Sequence, residues 1–176
     1  MDDAELVKLA QAGRRDAFDE IVQRHQRRIY QLCYRFVGNH EDASDLAQDT
    51  FVRAFRALPR FKSDSAVGTW LHRIAVNVCL NRKAVKVPRF APLEVVEPVD
   101  IKSEHADAAV LRRERAVQVR AAVARLPPKQ RATLILRAYH DLPHEEIARI
   151  LGSSVGAVKA NFFHALGNLK RLLETS

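Results

Sequence analysis

The chain has 176 residues, of which 47% are hydrophobic and 28% are charged. This balance is typical of one or two folded domains and excludes a disordered chain. The longest apolar runs are far shorter than the roughly 20 residues that cross a bilayer, and no basic-then-apolar leader opens the sequence. We therefore expect a cytoplasmic protein without membrane insertion. Cys33 and Cys79 lie in apolar helical patterns without CxxC spacing, which favours buried free thiols over a disulfide or a metal site.

The formal net charge of +8 is unevenly distributed. Residues 1–90 carry 16 Lys and Arg against 11 Asp and Glu, residues 91–110 carry 1 against 5, and residues 111–176 carry 12 against 5. Two basic blocks around an acidic connector fit a polyanionic partner for each block, because Lys and Arg release counterions from phosphates. Two solvated helical surfaces would have the same composition, so charge alone does not decide between them.

Helical periodicity predicts an all-α fold of two small domains joined by a flexible linker. In the first domain, 1–87, apolar stripes predict helices over residues 2–12, 16–37, 41–58 and 69–83, with stops at Gly13, Gly38 and Pro59. Asp16 is the expected N-cap of the second of these helices. Residues 88–110 contain three prolines and no periodicity, as linkers do. In the second domain, 111–176, helices are predicted over residues 111–125 and 128–139, with two more after the turn at 140–143.

The last two helices fit a helix-turn-helix, with a plain helical hairpin as the alternative. Ala148 lets two helices approach, Gly152 suits the turn, and Val158 packs the second helix on the first. The second helix, opened by Ser153 or Ser154, would lie in a DNA major groove. The expected contact residues are Ser154, Gly156, Ala157, Lys159, Ala160, Asn161, Phe163 and His164. Lys159 is suited to phosphate and Asn161 to adenine, whereas Phe163 fits the core equally well.

Two further groups of polar residues lie in the first domain. Asp45, Gln48 and Asp49 stand at i, i+3 and i+4 and share one helix face, for which a solvated acidic surface is the simplest interpretation. The segment that follows interleaves aromatic, amide and cationic residues: Phe61, Lys62, Trp70, Arg73, Asn77 and Asn81. This mixture suits the binding of unstacked single-stranded bases, although a lone tryptophan is more often a core residue.

Taken together, these segments resemble the extracytoplasmic-function group of bacterial sigma factors, the small sigma-70-family subunits of RNA polymerase. Residues 18–58 are similar to the segment that binds core polymerase, residues 61–77 to the reader of the −10 promoter element, and residues 126–160 to the reader of the −35 element. The resemblance covers almost the whole chain, and the order of the three segments adds to its specificity.

The resemblance implies a role for each group of residues. The helix-face residues would dock on the coiled coil of the polymerase's largest subunit: Asp45, Gln48, Asp49 and Arg53. The −10 reader would capture a flipped non-template base and contact the melted strand through Phe61, Lys62, Ser63, Asp64, Trp70, Arg73, Asn77 and Asn81. The acidic linker would thread toward the active-site channel or act as a simple tether. An anti-sigma factor is expected as a partner, which would in some cases hold the protein at the inner membrane, and the free chain is expected to be a monomer.

One departure from the family pattern concerns the −35 helix. Asn161 and His164 stand where basic residues are common in the family. Fewer fixed charges predict a shallower salt dependence of DNA binding, by about one unit of slope per lost phosphate contact.

Two other classes of function are less well supported. A stand-alone transcriptional regulator would use only the helix-turn-helix and would need a sensor or dimerisation module. An enzyme would need a catalytic or metal pattern. His140 and His144 are four residues apart, but Pro143 between them disrupts a shared helical face. We therefore expect no catalytic activity, no metal and no cofactor.

Overall fold

A computed structural model describes residues 1–82 and 106–175 of the chain, and everything within those ranges that has regular secondary structure is helical. Most of the predicted linker, residues 88–105, lies outside the described residues. The first group of helices comprises α1 (Asp3–Gln11), α2 (Arg15–Val37), α3 (His40–Ala57), a 3₁₀ turn (Leu58–Arg60) and α4 (Val67–Asn81). The second group comprises α5 (Ala106–Ala124), α6 (Pro128–Ala138), α7 (His144–Leu151) and α8 (Val155–Glu174).

The helix ends follow local chemistry. Asp2 caps α1 by accepting a hydrogen bond from the Glu5 amide, and the Glu5 carboxylate accepts one from the Asp2 amide in return, which forms a capping box. Asn39 caps α3 by accepting a hydrogen bond from the Asp42 amide. Gly38 ends α2 in the left-handed conformation at φ 78°, which glycine adopts without steric cost. These ends lie within two residues of the sequence-based predictions.

Two predicted boundaries are wrong. Asp16 was expected to cap α2, but Arg14 occupies the N-cap position and Asp16 lies in the first turn, 2.7 Å from the Arg14 guanidinium. A carboxylate in the first turn still complements the helix dipole. The helix predicted to begin at residue 111 begins at Ala106, so residues 106–110 are helical. Three alanines and Asp107 in that first turn favour helix.

The core of the first group lies between α2, α3 and α4. Fully buried side chains from α2 and α4, including Ile29, Leu32 and Leu71, meet small residues on α3 such as Ala43. Because these residues are small, the backbone of α3 approaches the other two helices closely. The opposite face of α3 is exposed to solvent. In the second group, α6 and α7 pack on α8 through Ile135, Leu136, Ile147 and Val158.

The two groups of helices also contact each other, and α7 packs against α4. The Thr69 hydroxyl donates a hydrogen bond to the Glu146 carboxylate, and the Arg73 guanidinium donates one to the Arg149 carbonyl oxygen. At a second point, Arg131 of α6 donates to the carbonyl of Phe36. That carbonyl belongs to the last turn of α2, where backbone acceptors lack a partner within the helix, so the charge complements the helix dipole.

Candidate protein and nucleic-acid interfaces

The outer face of α3 presents the predicted polymerase-docking residues. Asp45 and Gln48 are exposed, and Asp49 is half-buried. The Asp49 carboxylate accepts a hydrogen bond from Arg53 Nε at 3.1 Å, one helical turn away. The structure therefore brings all four residues of this set onto one surface, which we call the acidic ridge, although Arg53 neutralises part of its charge.

An apolar groove runs beside the acidic ridge, between α2 and α3. Its volume is about 860 Å³, and Phe18, Val22, Tyr30 and Phe51 form part of its walls. Val52 and Phe55 stand at its edge, 42% and 45% exposed, although large apolar side chains are usually covered. We did not predict this groove. The available signal was an apolar stripe on α3 that is wider than one packed face requires.

The loop after the 3₁₀ turn presents the next predicted set of residues. Lys62, Ser63 and Asp64 are exposed, and Ser63 has a positive φ of 58°. Phe61 is 9% exposed and stacks on the half-buried Trp70, with ring centroids 4.4 Å apart and an interplanar angle of 25°. In this arrangement one face of each ring is covered by the other ring.

Polar residues on α4 continue this surface. Arg73, Asn77 and Asn81 are exposed and recur every four residues, so they form one stripe along the helix. The stripe follows the loop along the chain. At its Arg73 end, the guanidinium donates a hydrogen bond to the Arg149 carbonyl of α7.

Two histidines meet where the groups of helices touch. His72 of α4 is 6% exposed, and its Nδ1–H donates to the Gly68 carbonyl at 2.6 Å, while its ring lies 6.2 Å from that of His140. Burial lowers the pKa of His72 and lowers the pKa of His140 to about 4. Both are therefore neutral at pH 7. His140 packs against His72 rather than forming a site with His144.

The helix-turn-helix has the predicted geometry. Gly152 ends α7 at φ 64°, and the Ser154 side chain caps α8 by accepting a hydrogen bond from the Ala157 amide at 3.1 Å. Ile147 and Val158 are fully buried between the two helices. The packing fixes the direction in which the following residues of α8 point.

The exposed face of α8 contains most of the predicted DNA-contact residues. Ser154, Gly156, Lys159, Ala160, Phe163 and His164 are exposed, whereas Ala157 and Asn161 are half-buried. Phe163 is 74% exposed and is therefore not a core residue, which decides the alternative that the sequence left open. Its ring lies 5.7 Å from that of His164.

Cys33 and Cys79 are free, buried thiols, as predicted. A hydrogen bond with Cys33, together with burial, raises the pKa of the Cys79 thiol. Within residues 1–82 and 106–175, no three side chains of the metal-ligating types come together as a site for an ion. In the same ranges, no helix combines the length and apolarity that crossing a bilayer would need.

Comparison with known proteins identifies the family. The family described as sigma-70 region 2 matches residues 21–86, and the family described as sigma-70 region 4 matches residues 116–169. The ECF RNA polymerase sigma factor SigM of Mycobacterium tuberculosis H37Rv is 38% identical over 172 residues, which cover 97% of this chain and 84% of SigM. The RNA polymerase sigma-H factor of Pseudomonas aeruginosa PAO1 is 34% identical over 181 residues, covering 98% and 94% of the two chains.

A solved structure shows the same architecture. CnrH, in complex with the cytosolic domain of CnrY, matches with a TM-score of 0.69 and 29% identity over 99% of this chain and 98% of CnrH. The chain therefore belongs to the extracytoplasmic-function (ECF) sigma factors of the sigma-70 family. It is an RNA polymerase sigma factor, a non-enzymatic initiation factor that acts with core RNA polymerase and promoter DNA. A stand-alone regulator is not favoured.

Proposed function

We propose that the two groups of helices divide the work of initiation between them. Residues 1–87 bind core polymerase through the acidic ridge of α3 and read the melted −10 element through the loop at 62–64 and the stripe on α4. Residues 111–176 read the −35 element as a duplex through α8, and residues 88–110 connect the two. The observation that carries this proposal is the exposure of three polar surfaces, in this order, on rigid helices.

The docking surface combines charge with an apolar groove. The exposed carboxylates of the acidic ridge complement a basic coiled coil of the polymerase's largest subunit, and charge complementarity chiefly sets register and association rate. The groove beside it, with the exposed edge residues Val52 and Phe55, supplies apolar area that the carboxylates lack. Docking therefore buries the groove together with the ridge.

At the −35 element, Phe163 and Lys159 have different roles. An aromatic side chain that is 74% exposed on a recognition helix is suited to a thymine methyl group, whereas the lysine is suited to phosphate. Asn161 and His164 supply hydrogen bonds in place of fixed charges.

The free protein is a cytoplasmic monomer, and an anti-sigma factor is its inhibitory partner. The solved relative CnrH is in complex with CnrY, and another sigma factor of the same fold, RpoE of Bartonella quintana, is in complex with the anti-sigma factor NepR. A partner of this kind that is anchored in the membrane would hold the protein at the inner membrane until it is released.

Two experiments test the proposal. The first is co-purification with bacterial core polymerase, and the second is transcription from a genomic fragment library with mapped start sites. Stable binding and initiation at promoters that share two elements are the expected results. Specific binding to duplex DNA without any binding to core polymerase would instead make the chain a stand-alone regulator.

A further inference from the structure

The side chain of Gln11, the last residue of α1, is bonded to the backbone of a distant segment. Its Nε2 donates one hydrogen bond to the carbonyl of Leu58 at 3.0 Å and another to the carbonyl of Phe61 at 2.9 Å. These carbonyls stand at the start of the 3₁₀ turn and immediately after it. Both protons of a single amide therefore clamp the backbone just before the loop at 62–64.

The other features of this segment leave the loop dependent on the clamp. The Phe61 ring is fixed by its stack on Trp70, but Lys62, Ser63 and Asp64 are exposed, and Ser63 has the left-handed backbone that non-glycine residues disfavour. A loop that is strained and solvated holds one conformation only if its ends are held. The Gln11 amide holds the backbone at one end, where the Phe61 carbonyl leads into Lys62.

Helix α1 itself is well anchored and can act as a support. Leu6 and Val7 are buried in the core, and the Asp3 carboxylate lies 2.9 Å from His25 Nε2 and 3.2 Å from Arg24 Nη1, both on α2. The match to sigma-70 region 2 begins at residue 21, so α1 lies before the matched segment.

We propose that Gln11 is a positioning residue for capture of the melted −10 strand. It holds the loop at 62–64 in the conformation that binds an unstacked base, which reduces the conformational entropy lost when the base enters. This inference rests on the proposed function of the loop and adds α1 to the −10 reading apparatus.

The test measures base preference on the holoenzyme. Core polymerase is loaded with the full chain and incubated with single-stranded DNA randomised over ten positions, and the bound strands are sequenced. Gln11→Ala removes both donors and should lower the enrichment of the preferred base about five- to tenfold, the effect of about two lost hydrogen bonds. Affinity for core polymerase should not change, and the melting temperature should fall by only about a few degrees.

Three further variants separate a positioning role from a general loss of stability or of DNA binding. Gln11→Lys keeps donors within reach of both carbonyls and should restore most of the enrichment, whereas Gln23→Ala, on the exposed face of α2, should behave like the native chain. Lys62→Ala lies in the loop itself and should abolish the preference.

Each outcome is decisive. If Lys62→Ala abolishes the preference but Gln11→Ala does not change it, the positioning role is overturned and the loop's function stands. If Gln11→Ala lowers core affinity by the same factor as the enrichment, its role is structural and the inference also falls. If the native holoenzyme shows no preference, or Lys62→Ala leaves it intact, the proposed function of the loop has failed, and the inference with it.

Discussion

Asp49 lies on the acidic ridge with a partner in its own chain, and its side chain is still 44% exposed. An exposed pair of this kind, four residues apart on a helix, contributes only about 0.3–0.5 kcal/mol to stability. The ion pair with Arg53 is therefore weak enough to be exchanged for one with a partner protein. Loss of the carboxylate would affect association much more than folding.

Reversing the charge of the ridge should separate these two effects. In Asp45→Lys/Asp49→Lys, lysines would face a basic coiled coil, and like charges in an interface cost several kcal/mol, so core affinity should fall at least about 100-fold. The melting temperature should change little. Affinity for core polymerase measured at two salt concentrations checks this, with Asp107→Lys/Glu114→Lys on the exposed face of α5 as the control of equal charge change. An equal loss in both double variants would contradict a specific ridge.

At the scale of the element, the helix-turn-helix depends on two adjacent serines with different surroundings. The Ser154 hydroxyl accepts a hydrogen bond from the Ala157 amide and caps α8. The Ser153 Oγ is buried without a hydrogen-bond partner in the described part of the chain. Neighbouring residues of the same type therefore make opposite contributions to the same turn.

Alanine at each position tests this difference. Ser154→Ala removes the cap and should lower the free energy of unfolding by about 1 kcal/mol, within the usual range for such caps. Ser153→Ala removes an unsatisfied polar atom and should be neutral or slightly stabilising. Urea unfolding of the full chain, monitored by far-ultraviolet circular dichroism, measures both. A larger loss for Ser153→Ala than for Ser154→Ala would contradict the assignment of the cap.

The elements were largely predictable because their ends depend on neighbours in sequence. Gly38, Gly152 and the Asp2 cap act within a few residues, so the pattern of the chain contains them. The surfaces of α3, α4 and α8 were predictable for the same reason, since helical spacing determines which residues share a face. The start of α5 was missed because a short stretch of alanines next to a proline-containing segment gives a weak helical signal.

The features that the sequence did not reveal depend on contacts between distant residues. Phe61 and Trp70, nine positions apart in the chain, stack on each other. The hydrogen bond between Thr69 and Glu146 joins residues 77 positions apart. Spacing within one helix contains no information about such pairs, because they are set by how whole helices pack.

At the scale of the whole molecule, the contact between the two groups of helices contains titratable residues. His72 and His140 face each other. Around them lie His25, Arg28 and Arg35 of α2 and Glu146 of α7. Burial lowers the pKa of both histidines, so the contact favours their neutral forms. The stabilisation that the contact gains from the neutral histidines is fully present above the ordinary histidine pKa of about 6.5. It decreases as the pH falls from there toward 4.

Acidification should therefore separate the two groups of helices. Small-angle X-ray scattering of the full chain between pH 7.5 and pH 5 should show a rising radius of gyration. His140→Phe keeps an aromatic ring in place and removes one titrating group, so its radius should rise less over the same interval. Equal expansion of the two proteins would show that His140 does not control the contact.

The contact between α4 and α7 also limits how far apart the two proposed DNA-reading surfaces can lie. The −10 and −35 elements are named for positions about 25 base pairs apart, which is roughly 85 Å of B-form DNA at about 3.4 Å per pair. In the described arrangement Arg73 of the −10 stripe is bonded to α7, the helix that directly precedes α8. A chain that reads both elements in this way therefore has to break the contact between α4 and α7.

If the two groups of helices read the two elements as proposed, promoter affinity is coupled to an internal equilibrium. Only the separated fraction of molecules is competent to span both elements, and the apparent dissociation constant rises in inverse proportion to that fraction. Each additional 1.4 kcal/mol or so in the contact weakens promoter binding tenfold. Core polymerase that holds the two groups of helices apart would supply the free energy of breaking the contact before the DNA arrives. The holoenzyme would then bind promoter DNA well, and the chain alone would bind it poorly.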